Sequence, residues 1–207
     1  MSVEQRTGPT RHGLLGGSFD PVHRAHIALA NHARRHLNLD TVTLIPAAQP
    51  WQRGALRASA EHRLEMLRIA VAEETGLDIS TVELERSGPT YTLDTLKSLP
   101  SGPEYFWILG ADQLANFCTW KGWKEIAALV QLVVAARPGS ELTAPAPLQE
   151  RLQGLGRKLH TLPMPPSDIS ATEIRRRLAQ GLDASAMLHP GVAQYIQQHQ
   201  LYVHPAA

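Results

Sequence analysis

Short apolar runs alternate with segments of helical periodicity along most of this 207-residue chain. The runs that predict strands, because they are short, apolar and bounded by turn residues, are 14–15, 41–45, 79–84, 105–109, 132–136 and, more weakly, 158–162. Helices are predicted over about 21–37, 61–74, 92–99, 170–180 and 190–200, and the proline-rich residues 138–147 are predicted to form a surface segment. This alternation favours an α/β fold, with a doubly wound parallel sheet that has helices on both faces. Ligand sites in such folds lie beyond the carboxyl ends of the strands.

Length and composition predict one domain over residues 12–207, preceded by a flexible N-terminal tail over residues 1–11. A net charge of +1 argues against a nucleic-acid partner. No stretch approaches the roughly 20 apolar residues of a membrane span, and the polar N-terminus is unlike a secretory signal. The single cysteine, Cys118, excludes an intrachain disulfide and is best interpreted as a small buried residue. We therefore expect a cytoplasmic protein.

Residues 16–26, Gly-Gly-Ser-Phe-Asp-Pro-Val-His-Arg-Ala-His, lie where the first predicted strand gives way to a helix. Gly16 and Gly17 would let the backbone approach a ligand closely. Asp20 and Pro21 are typical of a helix N-cap and first helical position. The amides at such a helix start bind anions. The segment matches neither the dinucleotide fingerprint nor the P-loop, the two commonest phosphate-binding motifs.

His23 and His26 would add ring donors at the same helix start. His26 lies on one helical stripe with Ala30 and Ala33, and His23 lies close to it, so both rings are predicted to face the crevice above the sheet. A zinc site is the alternative, but two histidines supply too few ligands. A structural role is also open, more readily for one ring than for both.

A second candidate anion site begins at Ser170. Ser170 and Glu173 predict a capping box, which needs no ligand. Arg175 is placed to reach the start of the same helix, where a cation opposes the helix dipole unless an anion is bound. A phosphate held by Ser170, Thr172 and Arg175 is therefore favoured over a cap alone.

Three more residues follow predicted strands or lie in polar stretches. Asp112 follows the strand at 105–109 and could orient a ribose hydroxyl or a hydrated metal, or cap the next helix. Arg137 follows the strand at 132–136 and could bind a phosphate or form a surface ion pair. Trp120, between the polar residues Thr119 and Lys121, is less clearly a core residue than Trp107, and an exposed indole there could stack on a planar ring.

Taken together, these motifs resemble those of bacterial nicotinate-nucleotide adenylyltransferases of the nucleotidyltransferase superfamily. Residues 16–26 are similar to G-G-[ST]-F-[DN]-P-x-H-x-G-H, and residues 169–175 match I-S-[SA]-T-x-I-R. The segments that follow the family's order between them are 89–92, 110–112, 119–120 and 137–139. The resemblance spans about residues 13–202 and implies a Rossmann-like fold. It also implies the reaction of ATP with nicotinate mononucleotide to give deamido-NAD and pyrophosphate.

The resemblance also implies roles for individual residues. Those implied to contact the ATP phosphates are His23, His26, Ser170, Thr172 and Arg175, with Arg53 and Arg137 in loops nearby. Those implied to lie along the rest of the nucleotide are Gly16, Gly17, Ser18, Phe19 and Asp112. Those implied to surround the nicotinate are Tyr91, Thr92, Trp120 and Lys121. Mg²⁺ is expected on phosphates and water, without a full set of protein ligands.

Two positions depart from the family pattern. Ala25 replaces a glycine between the histidines, and Gln52 stands where many members have histidine. The residues offer no obvious nucleophile–base pair, and none is needed if the acceptor phosphate is itself the nucleophile.

Three alternatives stay open at this stage. They are an adenylyltransferase of the same fold that uses nicotinamide mononucleotide or phosphopantetheine, a non-catalytic nucleotide-binding module, and a tRNA synthetase fragment. The last fits poorly because the chain lacks a basic surface excess. A homo-oligomer is compatible with the sequence but not indicated by it.

Overall fold

The computed structural model describes residues 8–49, 55–86, 88–136, 142–165 and 167–203, and in these ranges six parallel strands form one sheet. The strands are β1 (Arg11–Gly17), β2 (Thr41–Pro46), β3 (Leu77–Ile79), β4 (Glu104–Gly110), β5 (Gln131–Ala136) and β6 (His160–Pro163). The helices within the same ranges are α1 (Arg24–His36), α2 (Ala60–Val71), α3 (Thr92–Lys97), α4 (Ala111–Ala115), α5 (Trp123–Leu129), α6 (Ala146–Gly154), α7 (Ala171–Ala179) and α8 (Pro190–Gln198). The α/β class is therefore confirmed.

The strand order β3-β2-β1-β4-β5-β6 creates a switch point between β1 and β4. From β1 the chain moves outward to β3, and it then returns to β4 on the other side of β1. Leu14 pairs with Trp107, so Gly17 and Gly110, each three residues further on, end their strands at the same level. A crevice for a ligand forms at such a point because the connections diverge to opposite faces.

Two apolar cores cover the two faces of the sheet. Phe106 and Ile108 of β4 belong to the core that contains α1, α2, α7 and α8. Trp107 and Leu109 belong to the core that contains α3, α4, α5 and α6. Because successive strand residues point to opposite faces, one strand contributes to both cores. The doubly wound arrangement follows from this near-continuous apolar run.

The third strand is the clearest error in the sequence prediction. β3 spans Leu77–Ile79, whereas the alternation of apolar residues had predicted a strand over 79–84. Beyond Ile79 the chain forms a turn in which the amides of Leu84 and Glu85 donate to the Thr81 carbonyl, at 2.8 and 3.1 Å. The alternation of apolar residues over 79–84 therefore comes from a short helical turn and not from a strand.

The region before β6 also differs from the prediction. The sequence indicated a surface segment over residues 138–147 and no helix after it, whereas α6 begins at Ala146. Residues 137–141 lie outside the described residues, but Ala144 is buried and packs with Leu148 of α6 in the second core.

Three other expectations concern the ends and the surface of the chain. Most of the predicted tail, residues 1–7, lies outside the described residues, and β1 begins at Arg11. Cys118 is only half-buried and packs against the second core. Within the described ranges, no helix has both the length and the apolar character that crossing a membrane requires.

Candidate active site

The glycine loop (residues 16–22) leads into α1 later than the sequence predicted. The helix begins at Arg24, and its N-cap is His23, in an extended conformation with φ −145° and ψ 169°. Asp20 and Pro21, predicted as N-cap and first helical residue, instead lie in the loop and are joined by a cis peptide bond. That prediction was wrong because the Asp20 carboxylate has long-range partners.

Two histidine rings stack at the start of α1. The rings of His23 and His26 are 3.6 Å apart between centroids and inclined by 22°. The backbone N–H of His23 donates to Nδ1 of His26 at 3.2 Å. A neutral His26 therefore carries its proton on Nε2, where it can be donated to a phosphate oxygen. Phe19 packs against the same ring in a T-shaped arrangement, with centroids 5.0 Å apart and planes inclined by 72°.

His23 is the more deeply buried of the two rings. It is 7% exposed, and burial lowers the pKa of its imidazole to about 4, so the ring is neutral at pH 7. Its Nδ1 is buried without a hydrogen-bond partner among the residues described. Because an unpaired buried nitrogen costs free energy, a ligand that bonds to it would be stabilised by that site.

Aromatic rings of the protein itself fill the space that side chains at Gly16 and Gly17 would need. A Cβ on Gly16 would lie 2.9 Å from the Trp107 ring, and one on Gly17 would lie 3.0 Å from the Phe19 ring. These glycines are therefore required for packing. The close approach of a nucleotide to their backbone stays a prediction.

The Asp20 carboxylate joins three separate segments of the chain. It is 3% exposed and accepts hydrogen bonds from the amides of Arg57 and Ala58, at 2.7 and 3.1 Å. It also accepts one from the Tyr202 hydroxyl, at 2.7 Å. The glycine loop is thereby tied to the segment before α2 and to the segment after α8.

Arg63 was missed by the sequence analysis. It is 1% exposed, and its Nη1 donates to the carbonyls of Ser18 and Ala47, at 2.8 and 2.7 Å. It therefore fastens the glycine loop to the end of β2. The available signal was a charged residue at helical spacing with Met66 and Leu67, on the buried face of α2.

The second motif forms only half of the predicted capping box. The Ser170 hydroxyl caps α7 by accepting from the Glu173 amide at 3.1 Å. The Glu173 carboxylate turns away from the cap and pairs with Arg176 at 2.7 Å and Arg177 at 3.8 Å. The capping box was predicted without these two arginines, which compete with the backbone for the Glu173 carboxylate.

Arg175 brings the two motifs together. Its Nη1 donates to the Asp20 carbonyl at 2.7 Å, and its Nη2 contacts the Thr172 hydroxyl at 3.3 Å. A guanidinium, a helix start and the glycine loop thus meet at one place. Such a combination suits an anion, because each group directs hydrogen-bond donors or positive charge toward it.

The residues expected around a nicotinate ring form a second group. Lys121 Nζ lies 4.1 Å above the centre of the Tyr91 ring, and Tyr91 directly precedes Thr92, the first residue of α3. Trp120 is 8% exposed and packs against Phe117, so the predicted exposed indole is wrong. The flanking polar residues suggested exposure, but the indole belongs to the second core. Its Nε1 is buried without a partner among the described residues.

A buried carboxylate beside this group was also missed. Glu83 is 6% exposed and accepts a hydrogen bond from the Thr95 hydroxyl at 2.7 Å. Burial raises the pKa of this carboxyl, and bonds from Thr95 and Thr90 oppose the rise. The residue had been assigned to the incorrect strand at 79–84, so nothing in the sequence pointed to it.

The remaining candidates are Asp112, which follows β4, and the arginines Arg53 and Arg137. Gly110 is the N-cap of α4, and Gln113 Oε1 accepts from its amide at 3.0 Å. The alternative role of Asp112 as a cap is therefore wrong, and its side chain is exposed. Arg53 and Arg137 lie outside the described residues, as does Gln52. The part of the chain that is described contains no cluster of three His, Cys, Asp or Glu side chains able to hold a metal.

Comparisons with known proteins identify the family of this chain. Residues 14–177 match the profile of the cytidylyltransferase-like family. A protein of Bordetella pertussis described as a probable nicotinate-nucleotide adenylyltransferase is 57% identical over 195 residues, which cover 94% of this chain and 99% of that protein. One of Herpetosiphon aurantiacus with the same description is 39% identical, over 93% of this chain and 98% of that protein.

The fold also matches a solved structure. Plasmodium falciparum nicotinic acid mononucleotide adenylyltransferase, complexed with NaAD, superposes with a TM-score of 0.74 at 20% identity. The match covers 95% of this chain and 98% of that one, and it confirms the Rossmann-like fold. With motifs, fold and relatives in agreement, the chain belongs to the cytidylyltransferase-like family and, within it, to the nicotinate-nucleotide adenylyltransferases.

Proposed function

We propose that this protein transfers the adenylyl group of ATP to nicotinate mononucleotide, giving deamido-NAD and pyrophosphate in NAD biosynthesis. The observation that carries the proposal is the 2.7 Å bond from Arg175 to the Asp20 carbonyl, which unites the two anion-binding motifs. The relatives described above support the choice of substrates.

The reaction needs no nucleophile from the protein. A phosphate oxygen of nicotinate mononucleotide attacks the α-phosphorus of ATP in line, a new P–O bond forms, and the bond to the bridging oxygen breaks. The leaving group is pyrophosphate, and no covalent enzyme intermediate occurs. Catalysis then rests on holding both substrates in line and on neutralising the charge that develops on the leaving oxygens.

His23, His26 and Arg175 supply that neutralisation in this proposal. The Nε2–H of His26 donates to a phosphate oxygen, and the Arg175 guanidinium offsets the growing negative charge. His23 is neutral in the unliganded protein because burial lowers its pKa to about 4. An ATP phosphate against this ring would favour its protonated form and so draw in a proton.

The start of α7 holds further phosphate oxygens of ATP, and the turn after β4 holds its adenosine side. The Ser170 and Thr172 hydroxyls and the amides of the first turn of α7 bind phosphate oxygens. Gly16 to Phe19 lie along the nucleotide, and the exposed Asp112 carboxylate accepts from a hydroxyl on the adenosine side. Arg53 and Arg137 are assigned to the same phosphates in this proposal, on the family resemblance of their sequence positions.

Mg²⁺ fits this site as an ion carried by the substrate. The described residues offer single carboxylates such as Asp112, not a cluster, and Mg²⁺ commonly binds phosphates and water beside one or two carboxylates. When bound, it neutralises phosphate charge. The residues of the chain bind and orient the phosphates that carry it.

Tyr91, Thr92, Trp120 and Lys121 hold the acceptor. The amide of Thr92, at the start of α3, and the amide of Lys121 suit the nicotinate carboxylate. Trp120 packs beside the pyridine ring, and its unpaired Nε1–H is a donor for the acceptor. A charge-assisted hydrogen bond contributes about 1.5–3 kcal/mol, so one such bond favours the acid over the amide by about 10- to 150-fold.

The test is turnover by purified protein with ATP, Mg²⁺ and one acceptor at a time. Nicotinate mononucleotide should release pyrophosphate with the highest kcat/KM, and the product should have the mass of deamido-NAD. A preference for nicotinamide mononucleotide or phosphopantetheine would replace the proposed acceptor. ATP binding without pyrophosphate release from any of the three would indicate a non-catalytic nucleotide-binding module.

A further inference from the structure

The hydroxyl of Tyr202, one of the last residues described, contacts the glycine loop, which follows the first strand. It donates to Oδ1 of Asp20 at 2.7 Å, across 182 positions of sequence. The same oxygen accepts from the Ala58 amide at 3.1 Å, and Oδ2 accepts from the Arg57 amide at 2.7 Å. Tyr202 adopts a left-handed backbone conformation, with φ 65°, which is unfavourable for a bulky residue and persists where surrounding contacts hold it.

The backbone of the same loop is held from two other directions. Arg175 donates to the carbonyl of Asp20, and Arg63 donates to the carbonyl of Ser18. A shift of Asp20 would therefore carry with it the carbonyl that orients Arg175. The Asp20 carboxylate, in turn, is set by Tyr202 and the two amides.

We propose that Tyr202 is a positioning residue for the phosphate site. Its hydroxyl fixes the Asp20 carboxylate, and Asp20 in turn fixes the guanidinium of Arg175 and the glycine loop. This inference rests on the proposed adenylyl transfer, because its consequence is measured in that reaction.

The chemistry of the pair suits a permanent bond. Burial and the neighbouring Asp20 carboxylate both raise the pKa of the Tyr202 hydroxyl, so it stays a donor at every working pH. Burial lowers the pKa of Arg63, and the charge of Asp20 opposes that shift, so the two charges stabilise each other. The bond to Tyr202 therefore acts as a fixed support and not as a switch.

The test compares Tyr202→Phe with Tyr195→Phe. Tyr195 lies on α8, and its hydroxyl bonds to His62 Nδ1 at 2.9 Å, so the control loses the same group from the same region. Each loss should lower Tm by about 2–4 °C, as expected for about 1 kcal/mol in a domain of this size. Misplacement by about 1 Å can cost about 100-fold in rate, so a smaller displacement in Tyr202→Phe should lower kcat by about ten-fold.

Two further readouts separate positioning from stability. The KM for nicotinate mononucleotide should stay within about two-fold of wild type in both variants, since Tyr202 and Asp20 support Arg175 and the glycine loop on the phosphate side of the proposed site. Hydrogen exchange at the Arg57 and Ala58 amides should accelerate in Tyr202→Phe and not in Tyr195→Phe, because these amides share the carboxylate. Kinetics are measured well below each variant's own Tm.

Each outcome has one meaning. If wild type releases no pyrophosphate from ATP with nicotinate mononucleotide, the proposed function fails and this inference fails with it. If wild type is active and Tyr202→Phe retains the kcat of Tyr195→Phe, positioning by Tyr202 is overturned and the function stands. If Tyr202→Phe does not fold, Asp20→Asn is measured in the same way, and a wild-type kcat there overturns the proposal.

Discussion

The phosphate side of the candidate site and its acceptor side are held together in different ways. On the phosphate side, Arg175 and Tyr202 reach Asp20 across 155 and 182 positions of sequence, through half-buried hydrogen bonds. On the acceptor side, an exposed Lys121 lies over Tyr91. The hydrogen bonds beside this pair span shorter stretches of sequence, because Thr90 donates to the Gln49 carbonyl across 41 positions and Thr95 donates to Glu83 across 12. The first arrangement suits a fixed geometry for charge neutralisation, and the second leaves room to adjust to the acceptor.

Both sides nevertheless contain a buried nitrogen without a hydrogen-bond partner among the described residues. It is Nδ1 of His23 on the phosphate side and Nε1 of Trp120 on the acceptor side. A buried polar atom without a partner costs roughly 1–3 kcal/mol, which a ligand can recover. The contrast predicts that changes on the phosphate side affect mainly the rate, whereas changes on the acceptor side affect mainly the binding of the acceptor.

The largest effect is expected for His26→Ala. Loss of a donor to the reacting phosphates should lower kcat by about 100- to 1000-fold, the range found when one transition-state donor is removed. His36→Ala, an exposed position at the last residue of α1, is the control and should keep wild-type kcat. Steady-state pyrophosphate release and thermal unfolding measure both effects. A folded His26→Ala enzyme with wild-type kcat would refute the phosphate role.

The next effect is expected for Arg175→Ala. Removing the guanidinium should lower kcat/KM for ATP by about 10- to 150-fold, the value of one charge-assisted hydrogen bond. Arg176→Ala is the control, because its side chain is exposed and pairs with Glu173. If the two variants show equal losses in an ATP titration, Arg175 does not bind phosphate.

A smaller effect is expected on the pH dependence of the free energy of unfolding. The pKa of His23 is about 4 in the folded protein and about 6.5 when unfolded, so the unfolded state binds the extra proton as the pH falls from 6.5 to 4. This group alone should therefore remove about 2 kcal/mol of stability between pH 7 and pH 5. His23→Gln should lose less stability over that interval in urea unfolding. Parallel stability curves for the two proteins would show that His23 is not buried as a neutral ring.

The smallest effect is expected for Trp120→Phe on the acceptor side. Loss of the indole N–H should raise the KM for nicotinate mononucleotide by about 2- to 12-fold, the value of a neutral hydrogen bond, and leave the KM for ATP unchanged. Trp123→Phe, at the start of α5, is the control. An increase in the KM for ATP alone would contradict the division of the site into two sides.

Much of the fold was predictable because the relevant patterns are local. The apolar runs that became β2, β4 and β5 needed only their composition and flanking turns, and α7 began at the predicted cap, Ser170. The errors occurred where local patterns were ambiguous. The alternation after Ile79 came from a turn, and the polar neighbours of Trp120 concealed a buried indole.

The sequence alone determined the α/β class, the two candidate anion-binding motifs and the family to which they belong. Each of these depends on residues close together along the chain, whose periodicity and spacing can be read directly. Only the tertiary structure decided that Asp20 bonds to Tyr202 and does not cap α1. It also decided that Arg63, on α2, bonds to the glycine loop. Such partners are distant in sequence, and a buried hydrogen bond between them leaves no periodic pattern, so folding alone brings them together.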